Sequence, residues 1–297
     1  MLAADMTLRP LVLLAAGLLA SLPSPAPAQS AGPELTTALV NAYGHWRDAM
    51  MRKDARGWAG AITQYRQVVT RNQLVSEKQA FPDQVFATAG DPPSLDGLRL
   101  LEAEAVGKTA HLVYFGKVDL GQDRNLLKDT VLKLKFGFEN GGWKYDSNRF
   151  TNLDTAPEVL KTLQSGKKTD FLDTPEFTPP GTMPPPPPLC RVPEFKGGYK
   201  LQSFGYETQV LMNGFDYMPV EDALDQQVII GGLVTGQNEI TLRMTPVPTP
   251  ENGKTAVQIR IYKLDVAQPD KPGIEVLRWE APDGKAPKQI TLPFTVK

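Results

Sequence analysis

Residues 131–145 read Val131-Leu132-Lys133-Leu134-Lys135-Phe136-Gly137-Phe138-Glu139-Asn140-Gly141-Gly142-Trp143-Lys144-Tyr145. Leu132, Leu134, Phe136 and Phe138 alternate with Lys133, Lys135 and Gly137, the period of two that marks a half-buried strand. Asn140-Gly141-Gly142 then supplies residues that tolerate positive φ, and Trp143 and Tyr145 begin a return strand. The stretch predicts an antiparallel hairpin.

Upstream of it the periodicity is helical. Leu35, Leu39, Ala42, Trp46 and Met50 recur at three- and four-residue steps, and Trp58, Ile62, Tyr65 and Val69 repeat this from about Asp54. Such stripes face a core. Leu98–Ala105 and His111–Asp119 read as further strands, after the break at Asp91-Pro92-Pro93. Thr155 and Glu158 have capping-box spacing for a short helix that Gly166 ends.

Downstream, Pro175, Pro179, Pro180, Pro184 to Pro188 and Pro193 exclude helix and central strand. The spacing predicts a polyproline II spacer of about 3.1 Å per residue. Beyond it Ile240, Leu242 and Met244, then Val257, Ile259 and Ile261, then Ile290, Leu292, Phe294 and Val296 alternate with polar residues. Turn signals stand at Asn213-Gly214, Asn252-Gly253 and Asp283-Gly284, so two packed sheets are expected. Pro293 places the last strand at an edge. The expected organisation is a leader over residues 1–28, an α+β cone of helices on a curved antiparallel sheet over 29–173, a proline linker over 174–197, and an all-β sandwich over 198–297.

The leader rests on Arg9, the apolar run Leu11 to Ala20 and the small residues of Ala26-Pro27-Ala28. This is the order of a secretory signal peptide, with cleavage expected after Ala28 and a periplasmic or secreted product. The run is about half of the roughly 20 residues that cross a bilayer, so no transmembrane segment is expected after cleavage. The chain has 297 residues, 32 basic and 33 acidic. Loss of Arg9 and Asp5 with the leader leaves the balance at −1, which gives no global field for nucleic acid. Cys190 is the only cysteine and there are two histidines. That excludes an internal disulfide and a cysteine-held zinc cluster, and no metal or cofactor is expected.

Helices followed by a meander ending in Phe138-Glu139-Asn140-Gly141-Gly142-Trp143-Lys144-Tyr145 resemble the nuclear-transport-factor-2-like superfamily, over roughly residues 34–173. That fold also houses ketosteroid isomerases and polyketide cyclases. The resemblance implies a cone with a cavity at one end, used for catalysis in some members and for binding or assembly in others. In the isomerases a carboxylate base works with a tyrosine and a protonated aspartic acid. Val210-Leu211-Met212-Asn213-Gly214 with Gly236-Gln237-Asn238-Glu239-Ile240 resembles jelly-roll accessory domains of exported proteins, some of which bind sugars.

The catalytic candidates are His45, His111 and Asp119, with Tyr43 and Tyr65 as ligand-binding candidates and Tyr114 nearby. On its strand His111 shares a face with Val113, Phe115, Lys117 and Asp119, while Tyr114 falls on the other. Eight residues, about 26 Å of extended strand, keep His111 from pairing with Asp119. Phe215 and Tyr217, after the Asn213-Gly214 turn, are candidates for stacking on a sugar or for plugging the β domain. Asp216, Glu221, Asp222 and Asp225 lack the spacing of a calcium loop. No serine-histidine-aspartate order, phosphate loop or His-Glu-x-x-His run occurs. The expectation is a non-catalytic binding or assembly protein of the bacterial cell envelope, whose partner is an envelope protein, a glycan or a small molecule. A small-molecule isomerase, cyclase or dehydratase and a carbohydrate-binding protein are the alternatives.

Overall fold

A computed structural model describes residues 29–30, 32–88, 90–119, 127–167, 169–248, 255–268 and 271–297. The expected leader and the Asn252-Gly253 turn lie outside the described residues. Secondary structure runs β1 (Gln29–Ser30), α1 (Pro33–Arg52), α2 (Ala55–Ala61), α3 (Gln64–Ser76), α4 (Val85–Thr88), β2 (Arg99–Val106), β3 (Thr109–Lys117), β4 (Asp129–Glu139), β5 (Gly142–Asn152) and α5 (Pro157–Gln164). It continues with β6 (Lys196–Met212), β7 (Phe215–Asp216), β8 (Val220–Val228), β9 (Gly236–Pro246), β10 (Ala256–Leu264), β11 (Ile274–Glu280) and β12 (Gln289–Val296). Helices are few and antiparallel sheet predominates. Among the described residues no helix is long and apolar enough to cross a membrane.

β1 to β5 form one antiparallel meander in sequence order. The β4–β5 hairpin closes with Asn140 at φ 53° and Gly141 at φ 81°, two consecutive left-handed residues that match the twist of the strands. The inner sheet face carries Ala110, Leu112, Tyr114, Leu132, Leu134, Phe136 and Tyr145, and α1 and α2 pack on it through Leu39, Tyr43, Trp46 and Trp58. The single helical stretch expected from Asp54 is two helices. Asp54 caps α2, accepting from Gly57 N at 3.0 Å. Thr63 then breaks the chain and caps α3, accepting from Arg66 N at 3.2 Å and donating to Asp146 Oδ1 at 2.7 Å. The expected capping box of α5 is absent: its N-cap is Ala156, with no side-chain cap bond, while Gly166 at φ 82° does end it.

The second half is one hydrogen-bonded sheet, not two. Its order is β11-β10-β6-β9-β12, with β7 and β8 also on β6. β6 spans 17 residues and bends at Gly205, φ 71°. Before the bend it pairs with β10 as far as Phe204, and after it with β9 from Tyr206. The sheet therefore curls until β11 and β12, its two end strands, touch. Val210, Ile240, Leu242, Met244, Val257, Ile259 and Ile261 fill the space enclosed. Among the described residues β12 pairs only with β9, and Pro293 opposite Glu239 sits on the edge strand as expected.

The proline segment is a strap and not a free spacer. Phe177 is buried against Val113, Phe115, Val131, Leu153, Leu163 and Leu172 on the outer face of the first sheet. Gly181 N donates to Thr109 Oγ1 at 2.8 Å, and Lys108 N donates to Gly181 O at 2.8 Å. Further on, Cys190 N donates to Asn72 Oδ1 and Asn72 Nδ2 donates to Pro188 O, both at 2.9 Å. The second sheet joins the same junction: Gly231 N donates to Ser76 Oγ at 2.8 Å, and Lys196 lies 3.7 Å from Glu77. Proline supplied an extended backbone with few donors. Its unbonded carbonyls are met by side chains from a helix already fixed in the first core.

Candidate functional site

The outer face of the first sheet carries charge in rows. Register places Glu104, His111, Lys135 and Ser147 side by side across β2 to β5, and Glu102, Val113, Lys133 and Arg149 in the next row. Each row runs from carboxylate on β2 to cation on β4 or β5. The strap crosses this face and leaves a groove of about 510 Å³. Its floor is Thr109, Ala110, His111, Lys133, Lys135, Phe136, Asp146 and Arg149, and its wall is Pro175, Glu176, Thr178 to Pro180 and Thr182 to Pro184.

His111 is 1% exposed, and neither ring nitrogen has a hydrogen-bond partner. Its Nε2 stands 3.8 Å from Glu102 Oε2 and 3.8 Å from Glu104 Oε2. Lys133 is buried; it donates to the Glu176 carbonyl, and its ammonium lies 5.3 Å from the Phe177 ring centroid. Arg149 pairs with the Glu176 carboxylate at 3.0 Å. Burial, helped by the nearby Lys135 charge, pulls the Lys133 ammonium down to about 8.

That depression carries a pH signature. Between about 8 and the ordinary 10.5 the unfolded chain holds a proton the folded chain has lost, so this group makes stability rise with pH across that window. Lys133→Met is expected to be more stable than the parent by about 2 kcal/mol at pH 7, once the lost ammonium contacts are set against relief of the buried charge. The difference should shrink by pH 10. Urea unfolding of both proteins at the two pH values checks it, since titrating groups remote from Lys133 cancel.

No protein-family model, curated protein or solved structure matches this chain.

The expected site residues are not brought together. Tyr43 is buried on the inner face, donates to Pro93 O at 2.7 Å, and burial raises its hydroxyl pKa well above the ordinary value. His45 is exposed on α1, Asp119 is exposed past the end of β3, and Tyr65 is half-buried with the Arg66 guanidinium 5.8 Å from its ring. His111 faces the strap, away from the helices and from Tyr43 and Tyr114.

The space between the helices and the inner face of the first sheet is filled by Trp46, Trp58 and Phe136, with Trp46 stacked on Tyr145 at 3.9 Å. What remains on that side is an open depression of about 420 Å³ bordered by Trp46, Trp58, Ile62 and Tyr145. The carboxylate at its rim, Asp146, is engaged by Thr63, Ser147 and Arg66.

In the second half Tyr217 points inward. Its ring lies against Tyr199 at 5.3 Å, and its hydroxyl accepts from Ile230 N at 2.6 Å. Burial pushes that hydroxyl up to about 12. Phe215 is half-buried in β7. Tyr217 thus packs against the core of the curled sheet while remaining half-buried at the edge of a surface pocket.

Sequence reasoning missed Glu102 and Glu104. Their spacing on a predicted strand, opposite the strand of His111, was the available signal: an i, i+2 pair shares a face and meets whatever the register puts beside it.

Proposed function

We propose that this chain is an exported, non-catalytic binding protein of the bacterial cell envelope, and that it takes a small, partly apolar anion in the groove beneath the proline strap. The observation that carries the reading is the groove itself. It is large enough for a small ligand, has Met183 and four prolines for apolar contact, and sets Lys133, Lys135 and Arg149 along one side. Glu176 answers Arg149, and Asp146, also in the lining, is engaged by Arg66 and Thr63, which leaves the two lysine ammonium groups without a carboxylate of their own on that side. The filled inner face argues against the isomerase alternative, which needs its cavity there.

The same reading takes residues 29–173 as an α+β cone of the nuclear-transport-factor-2-like kind, supported by α1 to α3 over a five-stranded antiparallel meander. Residues 198–297 are then an all-β accessory domain built on one curled sheet, and 174–197 the segment between them. The charged, proline-lined groove is a departure from that cone's usual interior site.

A ligand-observed NMR screen of small aromatic and aliphatic carboxylates against the full chain tests this. Hits are expected that both Met183→Trp, which fills the groove, and Lys135→Glu, which reverses an exposed charge on its floor, abolish. Hits indifferent to both variants, or no hits at all, overturn the reading.

A further inference from the structure

We propose that Glu102, Glu104 and His111 form a binding site for a single divalent cation of the zinc class. Two carboxylates side by side on a strand are common and carry nothing alone. The second observation is His111. It is almost wholly enclosed, both its nitrogens lack partners, and it is directed at the two carboxylates. Glu102 Oε2 is likewise buried and without a partner.

Direct pairing does not account for this geometry. At 3.8 Å from each carboxylate oxygen, Nε2 is beyond hydrogen-bond reach, and these atoms stand unbonded. An ion between them does account for it. One ligand atom from each of the three residues lies within 4.8 Å of the others. Ligands about 2.1 Å from a tetrahedral ion stand about 3.4 Å apart, so Nε2 has to close on each carboxylate by about 0.4 Å, and the two carboxylate oxygens on each other by at most about 1.4 Å, which side-chain rotation supplies.

The donor set selects the ion. Imidazole with two carboxylates suits zinc or its first-row neighbours, whereas calcium and magnesium prefer oxygen alone. Charge is compatible: two carboxylates and a neutral imidazole balance a divalent ion, and Lys133 and Lys135 stand on β4, one strand beyond β3 from the carboxylates. The scaffold is firm, because β2 and β3 are adjacent paired strands and the register sets Glu104 directly opposite His111. The site does not rest on the anion reading, although His111 also lines the groove.

The test uses the tag-free chain freed of metal by a chelator, with zinc chloride as titrant and cobalt(II) as an optical stand-in. One ion per chain is expected. Glu104→Gln should weaken binding by at least about 100-fold, more than the usual loss of an outer partner costs. Glu102→Gln, at a partly exposed side chain that keeps its shape, should do the same with an unchanged circular dichroism spectrum. With only two histidines in the chain, NMR separates them. Zinc should shift the ring signals of His111 and leave those of His45 in place, and His45→Ala should bind like the parent. No zinc bound at micromolar concentration, affinity unchanged in Glu104→Gln, or binding that depends on His45 would each overturn the proposal.

Discussion

Replacing Asn72 by leucine is expected to cost about 3 kcal/mol of stability, although leucine matches its shape. Asn72 is 2% exposed near the end of α3. Its Oδ1 accepts from the Cys190 amide, and its Nδ2 donates to the Pro188 carbonyl. Leucine leaves the buried Cys190 amide and the Pro188 carbonyl without those partners, and each such loss costs about 1–3 kcal/mol. One turn on, Ser76 bonds back to Asn72 O at 2.6 Å and accepts from Gly231, so the side chain that fixes the strap sits beside the one that fixes the second sheet. Urea midpoints with an unchanged slope measure the effect. A loss below about 1 kcal/mol would mean that water replaces both bonds and that the strap is held elsewhere.

Gly205→Val is expected to be at least as damaging, about 4 kcal/mol. Gly205 holds φ at 71°, where a β-branched residue is strained by about 1–3 kcal/mol. An added Cβ would also stand 2.5 Å from Thr255 Cγ2, closer than real contacts allow, and overpacking of that kind adds about 1–3 kcal/mol. The surrounding bonds resist relief. Gly205 N donates to Asp222 Oδ1 at 2.7 Å, Val247 N donates to Gly205 O at 3.1 Å, and Ser203 Oγ donates to Tyr206 O at 2.7 Å. A variant with the parent's midpoint would show that β6 can turn its corner without a left-handed residue.

The contrast between these positions explains how far the sequence could be read. Alternation from Leu132 to Phe138 and the Asn140-Gly141 turn are local, so the hairpin and its inward face were legible. The stripe through Leu39, Trp46 and Met50 was legible for the same reason. Thr63 was not, because nothing in Ile62-Thr63-Gln64 breaks a helix by itself. The break is held by Asp146, 83 residues away, and by Thr63 N donating to Tyr145 O at 2.9 Å. Gly205 lies inside a long apolar-polar alternation that two shorter strands would produce equally well. Composition announced that the proline segment is extended, but its resting place depends on Thr109, Asn72 and Ser76, none of them near it in sequence. His111 was singled out for its chemistry and its face read correctly. Its neighbours Glu102 and Glu104 emerged only with the register of β2 on β3.

Cys190 gains a use from where the strap leaves it. It is the chain's only thiol, and it is enclosed where α3, the strap and the second sheet meet, with Sγ 3.6 Å from Asn72 O. A thiol-specific dye can reach it only when that junction parts, so labelling kinetics in native buffer count openings of a single place in the molecule. Set beside the free energy of global unfolding, that rate tells whether the two sheets separate as one cooperative unit with the rest of the chain or swing apart first. The molecule carries its own clock for the motion, placed where no engineered label is needed.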